Sequence, residues 1–189
     1  MGLSIHYSGY ILSSEKLTPL IGEVTDICLE LGWDTNTFDD DEIKGVSFAP
    51  KGSEPVFLTF NKEGRTFSPI NIIANEIYDD VRVDKELKFT TSTKTQFAGR
   101  DAHISIIKLL KYISVKYLKD FTLMDEGYYW ETGDENILSD QFEKYNFYLD
   151  KVTDIFSGVQ AWPGESIESL SDRIESILKE KWKGFDESK

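Results

Sequence analysis

Two imidazoles, His6 and His103, and one dense run of carboxylates and aromatic rings, MDEGYYWETGDE at residues 124–135, are the parts of this chain whose residue types could do chemistry. His103 lies near the start of an amphipathic segment, on its apolar half. A neutral imidazole held there could take a proton or bind a metal, and a hydrogen-bonded core histidine is the competing reading. In the aromatic run, Tyr128, Tyr129 and Trp130 offer flat apolar area with polar handles. Asp125, Glu126, Glu131 and Asp134 can accept hydrogen bonds or attract a cation. Together they would suit a sugar, a cationic ligand or a peptide. Two carboxylates would also serve glycoside hydrolysis if their separation were about 5 Å or about 6.5–9.5 Å, a quantity no sequence contains. The competing reading is an aromatic-rich strand end packed beneath the next helix, with Asp134 as that helix's cap.

The remaining motifs are weaker. His6 alternates with Leu3, Ile5 and Tyr7 and so should point away from them, which gives the two histidines no reason to meet. Were they to meet, Asp125, Glu126 or Glu131 could complete a mixed metal site, although no HxH, HxxxH or HExxH spacing is present. Lys94 and Arg100 flank a predicted helix start and could attract an anion there, but Asp101, expected to be the N-cap, would occupy the same backbone donors. The phosphate-binding and nucleophile motifs GxxxxGK[ST], GxGxxG and GxSxG are missing, so no cofactor is expected. The four-carboxylate stretch 39–42 does not match a calcium loop, because Ile43 falls where an oxygen donor is required. Cys28, the single cysteine, sits beside the apolar stripe of a predicted helix with no neighbouring base, and reads as a packed thiol.

The elements that would position these groups follow from periodicity. In residues 101–119, Ala102, Ile106, Ile107, Leu109, Leu110, Ile113, Tyr117 and Leu118 share one side of a helix, while Lys108, Lys111, Lys116 and Lys119 share the other. Gly99 lets the chain turn into it. Residues 3–8 alternate as a half-buried strand. Leu20, Val24, Ile27 and Leu31 mark a helix that Thr18 could cap, with Pro19 in its first turn and Gly32 at its end. Short β-rich runs at 33–38, 45–49 and 56–60, separated by turn residues, read as an antiparallel meander. Residues 68–84 fit either a strand or a short helix. The threonine-rich stretch 88–95 runs extended, and 121–124 reads as a further strand extending toward Gly127 or beyond. Asp134 and Ser166 each stand where they could cap a closing helix, the first of which ends at Gly158. Phe147 lies off the apolar stripe of that helix, so it is either covered by a neighbouring segment or part of a dimer or partner surface.

Composition limits the partners. There are 34 acidic and 21 basic side chains, a formal charge of -13 spread over both halves. Such a surface repels phosphate backbones and anionic lipid, so no nucleic acid and no membrane are expected as partners. A basic protein or a cationic ligand is favoured instead. One cysteine and no spanning apolar stretch point to the cytoplasm.

The run TKTQFAG at 93–99, the His103-containing helix and DEGYYWETGD at 125–134 resemble a family of uncharacterised bacterial proteins over the central third of the chain. The resemblance implies a bacterial source and a single compact domain, and assigns no residue a catalytic role. The expected fold is therefore a single α+β domain of residues 1–189, with a mainly antiparallel sheet of about five or six strands covered by helices. The expected function is non-catalytic: a binding or protein-interaction module with an acidic surface, of which an immunity-type or regulatory inhibitor of a basic protein is one form. Candidate ligand-binding residues are His103, Asp125, Glu126, Tyr128, Trp130 and Glu131. The alternative is a hydrolase or metal-dependent enzyme using His103 with the nearby carboxylates.

Overall fold

The computed structural model describes residues 2–70, 89–157 and 159–186. Most of the ambiguous stretch 68–84, and the expected helix end at Gly158, lie outside the described residues. The chain divides into two compact units, Met1–Phe142 and Glu143–Lys189.

Among the described residues, six strands and two long helices build the first unit. The expected sheet is corrected here: the strands are all antiparallel, but they form two three-stranded sheets rather than one. In the first sheet β1 (Ser4–Ile11) is central, between β5 (Thr91–Lys94) and β6 (Leu118–Asp125). In the second, β2 (Asp34–Asp39), β3 (Lys44–Ala49) and β4 (Val56–Phe60) run as the meander that their turn residues predicted. Residues 64–67 connect the two sheets without merging them. Gly64 and Thr66 bond to β1 through Ile11 N–H···O Gly64 and Thr66 N–H···O Gly9, while Phe67 N–H reaches the Thr59 carbonyl on β4. The segment makes only single bridges to each neighbour, Tyr10 to Arg65 and Phe60 to Thr66, so the ladder does not continue across it. The Tyr7 hydroxyl spans the same gap, accepting the Phe57 N–H at 2.9 Å and donating to the Phe57 carbonyl at 3.0 Å.

Helix α1 (Leu17–Glu30) packs on β2 and β3 with Leu20, Val24 and Cys28 fully buried. It follows a short 3-10 turn at Ser14–Lys16 and begins at Leu17, so Thr18 lies inside it instead of capping it. Burial pushes the Cys28 thiol up to about 11, which suits a packed and unreactive sulfur. Helix α2 (Arg100–Tyr117) lies against β6 and buries the predicted apolar half, including Ile106, Ile107, Leu110 and Ile113 at zero exposure. Each such side chain contributes about 2 kcal/mol. A second correction concerns its start. Gly99, at φ 85°, is the cap residue, and Asp101 sits in the first turn, where it accepts a bond from Arg100 rather than capping. The helix ends at Tyr117 and the chain enters β6 at once, so the strand expected from 121 toward Gly127 starts earlier, at Leu118, and ends at Asp125.

Glu23 joins the two helices. Its carboxylate accepts both bonds of Lys116, at 2.7 and 2.8 Å, and the hydroxyls of Tyr112 and Tyr117. Those bonds, Lys116 foremost, hold the Glu23 carboxyl down from 4.5 to about 2.

A short helix α3 (Tyr129–Thr132) follows β6, and α4 (Glu135–Phe156) starts in the first unit, with Asp134 accepting the Asn136 N–H at 2.8 Å as its cap. The second unit contains the end of α4 and helix α5 (Ile167–Asp186). Ser166 accepts the Ser169 N–H at the start of α5. Arg173 is pinned between Glu165, at 3.0 and 2.8 Å, the Gln160 carbonyl, and the Trp162 ring 4.3 Å away. Among the described residues no helix is long and apolar enough to cross a membrane.

Candidate functional site

Three segments distant in sequence deliver the central cluster. Thr95 follows the last residue of β5, His103 occupies the first turn of α2, and Asp125 ends β6. Antiparallel pairing of β1 with both outer strands sets Ile5 opposite Thr93 and Asp125, which brings the C-terminal ends of β5 and β6 to the same end of the sheet. Helix α2 then lowers His103 between them. The His103 Nδ1 lies 2.7 Å from Thr95 Oγ1, and Nε2 lies 3.0 Å from Asp125 Oδ1. That second contact is short but off the line an Nε2–H bond would take, so it acts as an electrostatic contact and not as a well-directed hydrogen bond.

Both outer members are anchored to backbone. Thr95 donates its amide to the Leu3 carbonyl at 2.9 Å, and its hydroxyl lies 3.3 Å from the same oxygen. Asp125 accepts three amides: Gly127 on Oδ1 at 2.7 Å, and Tyr129 and Trp130 on Oδ2 at 2.8 and 3.0 Å. Its carboxylate is therefore the cap of α3. Burial alone would raise the Asp125 carboxyl, but the facing His103 imidazole and the amides of Trp130 and Gly127 outweigh it and hold the group below the usual carboxylate range.

The arrangement accommodates either protonation state of the imidazole. With a neutral ring, the Thr95 hydroxyl donates to Nδ1 and the Nε2 proton faces Asp125. With a charged ring, Nδ1–H donates to the Thr95 oxygen, whose own proton turns to Leu3. What the arrangement lacks is access. His103 and Thr95 have no exposed surface and Asp125 has 2%. Gly127 closes the remaining side: a Cβ there would stand 3.1 Å from both His103 Nε2 and Asp125 Oδ1, and 2.5 Å from Leu138 Cδ1. Phe142 presents its ring edge-on to the imidazole at 6.0 Å.

The other candidates lie elsewhere. Glu126, next along the strand from Asp125, points to the opposite face, where Oε2 accepts the Ser4 N–H at 2.7 Å and Oε1 lies 3.7 Å from His6 Nε2. His6 Nδ1 is in turn 2.7 Å from Ser92 Oγ. Each histidine thus has its own hydroxyl and its own carboxylate, on opposite faces of one sheet. Trp130 packs on Phe121 and beneath Lys111, whose ammonium donates to the Trp130 carbonyl at 2.7 Å. Tyr128 is half exposed in a left-handed conformation, φ 59°, and Glu131 is exposed. His103, Glu126 and Trp130 accordingly share no solvent-filled pocket. A cleft of about 460 Å³, floored by Ile11, Ile43 and Phe60 and edged by Lys62 and Lys119, involves none of the candidates. Among the described residues no three histidine, cysteine or acidic side chains could hold a metal ion.

Comparison with family models, curated proteins and solved structures gives no match. Two members of the central cluster escaped the sequence reading. Thr95 looked like one more strand threonine, although the turn it closes, Ala98 N–H to Thr95 O at 2.9 Å, is what aims its hydroxyl at the next helix. Gly127 carried a readable signal, since a glycine between acidic and aromatic residues marks a close approach.

Proposed function

We propose that this protein is a non-catalytic, cytoplasmic interaction module that binds a basic protein through its acidic surface, in the manner of an inhibitor or regulator. The observation carrying this reading is the complete enclosure of the Thr95–His103–Asp125 cluster. The side chains best suited to chemistry are spent on backbone amides and a neighbouring carbonyl, where they tie β1, β5, β6 and α3 together. The charge of -13 then supplies the class of partner, because complementary fields speed encounter and penalise acidic competitors.

The test is immobilised protein exposed to a mixture of purified basic and acidic proteins at low and high salt. Basic proteins should be retained at about 20 mM salt and released by about 300 mM, as screening shortens the reach of surface charge. Retention without regard to charge, or none at low salt, refutes the reading. So does a hydrolytic or metal-dependent turnover that disappears in a folded His103→Ala variant.

A further inference from the structure

Among the described residues the two sheets end in four strand edges, three of which are partly bonded or irregular. The free side of β5 is taken at its end by Glu54, whose amide donates to the Lys94 carbonyl and whose carboxylate accepts the Lys94 N–H, each at 3.0 Å. Beyond β4 lie Phe67 and the Tyr7 hydroxyl. The outer side of β6 carries Lys119 and the left-handed Asp120, φ 50°, beside a register shift in its pairing with β1, features that spoil an edge for docking. Strand β2 differs. It pairs with β3 in unbroken register over all six residues, Asp34 with Ala49 through Asp39 with Lys44, and contains no proline, lysine or bulge. Among the described residues no backbone bond is made from its outer side.

Parity identifies the free groups. The hairpin closes with Asp40 N–H on the Ile43 carbonyl, so Phe38, Asn36 and Asp34 direct their amides to β3, and Thr35, Thr37 and Asp39 direct theirs outward. The same parity carried through β3 puts the Phe57 amide and the Thr59 carbonyl on the outer side of β4, where they are found bonded to Tyr7 and Phe67. Around this edge stand Asp34, Asp39, Asp40, Asp41 and Glu42, all exposed; Lys44 is committed to Asp39 at 2.7 Å, and Lys62 and Lys119 line a cleft with Asp41 and Glu42, which leaves Asp34 and Asp40 outside that cleft's lining.

We propose that the outer edge of β2 is the docking site for an extended, lysine- or arginine-rich segment of the partner protein, added as a further antiparallel strand. The proposal rests on the function argued above and specifies its surface. Backbone pairing with Thr35, Thr37 and Asp39 supplies the affinity, and the flanking carboxylates select a cationic strand. The same carboxylates argue against a second copy as occupant: two β2 strands paired across Thr37 would set Asp34 of each against Asp40 of the other.

The experiment uses the full chain and a synthetic peptide of about seven residues alternating lysine with valine, with a glutamate–valine peptide as control. The lysine peptide should bind at low salt, weaken about tenfold by about 300 mM salt, and slow amide exchange at Thr35, Thr37 and Asp39 while leaving Asn36 and Phe38 unchanged. Thr37→Pro removes one outward amide without touching β3 and should weaken binding at least about tenfold; Thr37→Val, which keeps the amide, should not. If Thr37→Pro proves unfolded, Asp34→Lys with Asp41→Lys answers the question, with the same loss expected. Equal binding of both peptides, protection at another strand, indifference to these variants, or a mass showing that β2 pairs with a second copy would each overturn the proposal. Should the peptide fail while the chain still retains basic proteins in a salt-dependent way, the surface is wrong and the function stands; should both fail, both fall.

Discussion

Replacing Asp125 with alanine tests whether the enclosed cluster is a structural clasp. The substitution strips the acceptor from three amides, those of Gly127, Tyr129 and Trp130, and removes the carboxylate facing His103. An unsatisfied buried donor costs about 1–3 kcal/mol and loss of one partner of a buried pair about 3–5 kcal/mol, terms that overlap because α3 can fray to water. The expected loss is about 4 kcal/mol, a large fraction of an ordinary domain's stability. Asp125→Asn should cost less, about 2 kcal/mol, since its oxygen can keep Tyr129 and Trp130 while its amide group faces the Gly127 donor and His103 Nε2. Urea unfolding followed by circular dichroism gives both values, and amide exchange at Tyr129 and Trp130 reports the clasp locally. The sign with pH follows from the depressed Asp125 carboxyl. Its stabilisation is present above the ordinary carboxylate range and is lost as acid protonates the folded group, so wild type and Asp125→Asn should converge at low pH. An alanine variant that loses under about 1 kcal/mol, or exchanges no faster at Tyr129 and Trp130, would refute the clasp.

Gly127→Ala should destabilise by about 1–3 kcal/mol through overlap with Leu138, and the double variant Gly127→Ala with Leu138→Ala should recover part of the overlap cost, as read by thermal unfolding. Glu23→Gln should cost about 1 kcal/mol near neutral pH, a figure reduced from the full shift because the carboxylate is partly exposed to solvent. Its carboxyl is lowered to about 2, so the contribution persists above about 4.5 and disappears as pH falls toward 2; a difference in melting temperature that grows in acid would contradict it.

Legibility differed by feature. The amphipathic side of α2 could be read because burial against a sheet repeats every three to four residues, and Ile106, Ile107, Leu110 and Ile113 all lie inward as the pattern required. The inward placement of His103 came with it. Helix starts were harder: Asp101 and Thr18 are good cap residues that the chain does not use as caps, because Gly99 and the 3-10 turn at Ser14–Lys16 set the entry angles. The meander was legible from its turns, but its separation from the β1 sheet was not, since that depends on how residues 64–67 thread between β1 and β4.

Periodicity, turn residues and charge are local properties, and from them alone the chain specified an α+β architecture, a histidine on a buried helix face and a strongly anionic surface. Tertiary structure decided which groups meet. Asp125 and Glu126 are adjacent acids, and strand alternation sends one into the core beneath His103 and the other across the sheet to His6. Which of them went inward depended on the register of β6 against β1, and register is set by contacts between segments rather than by either segment's own composition.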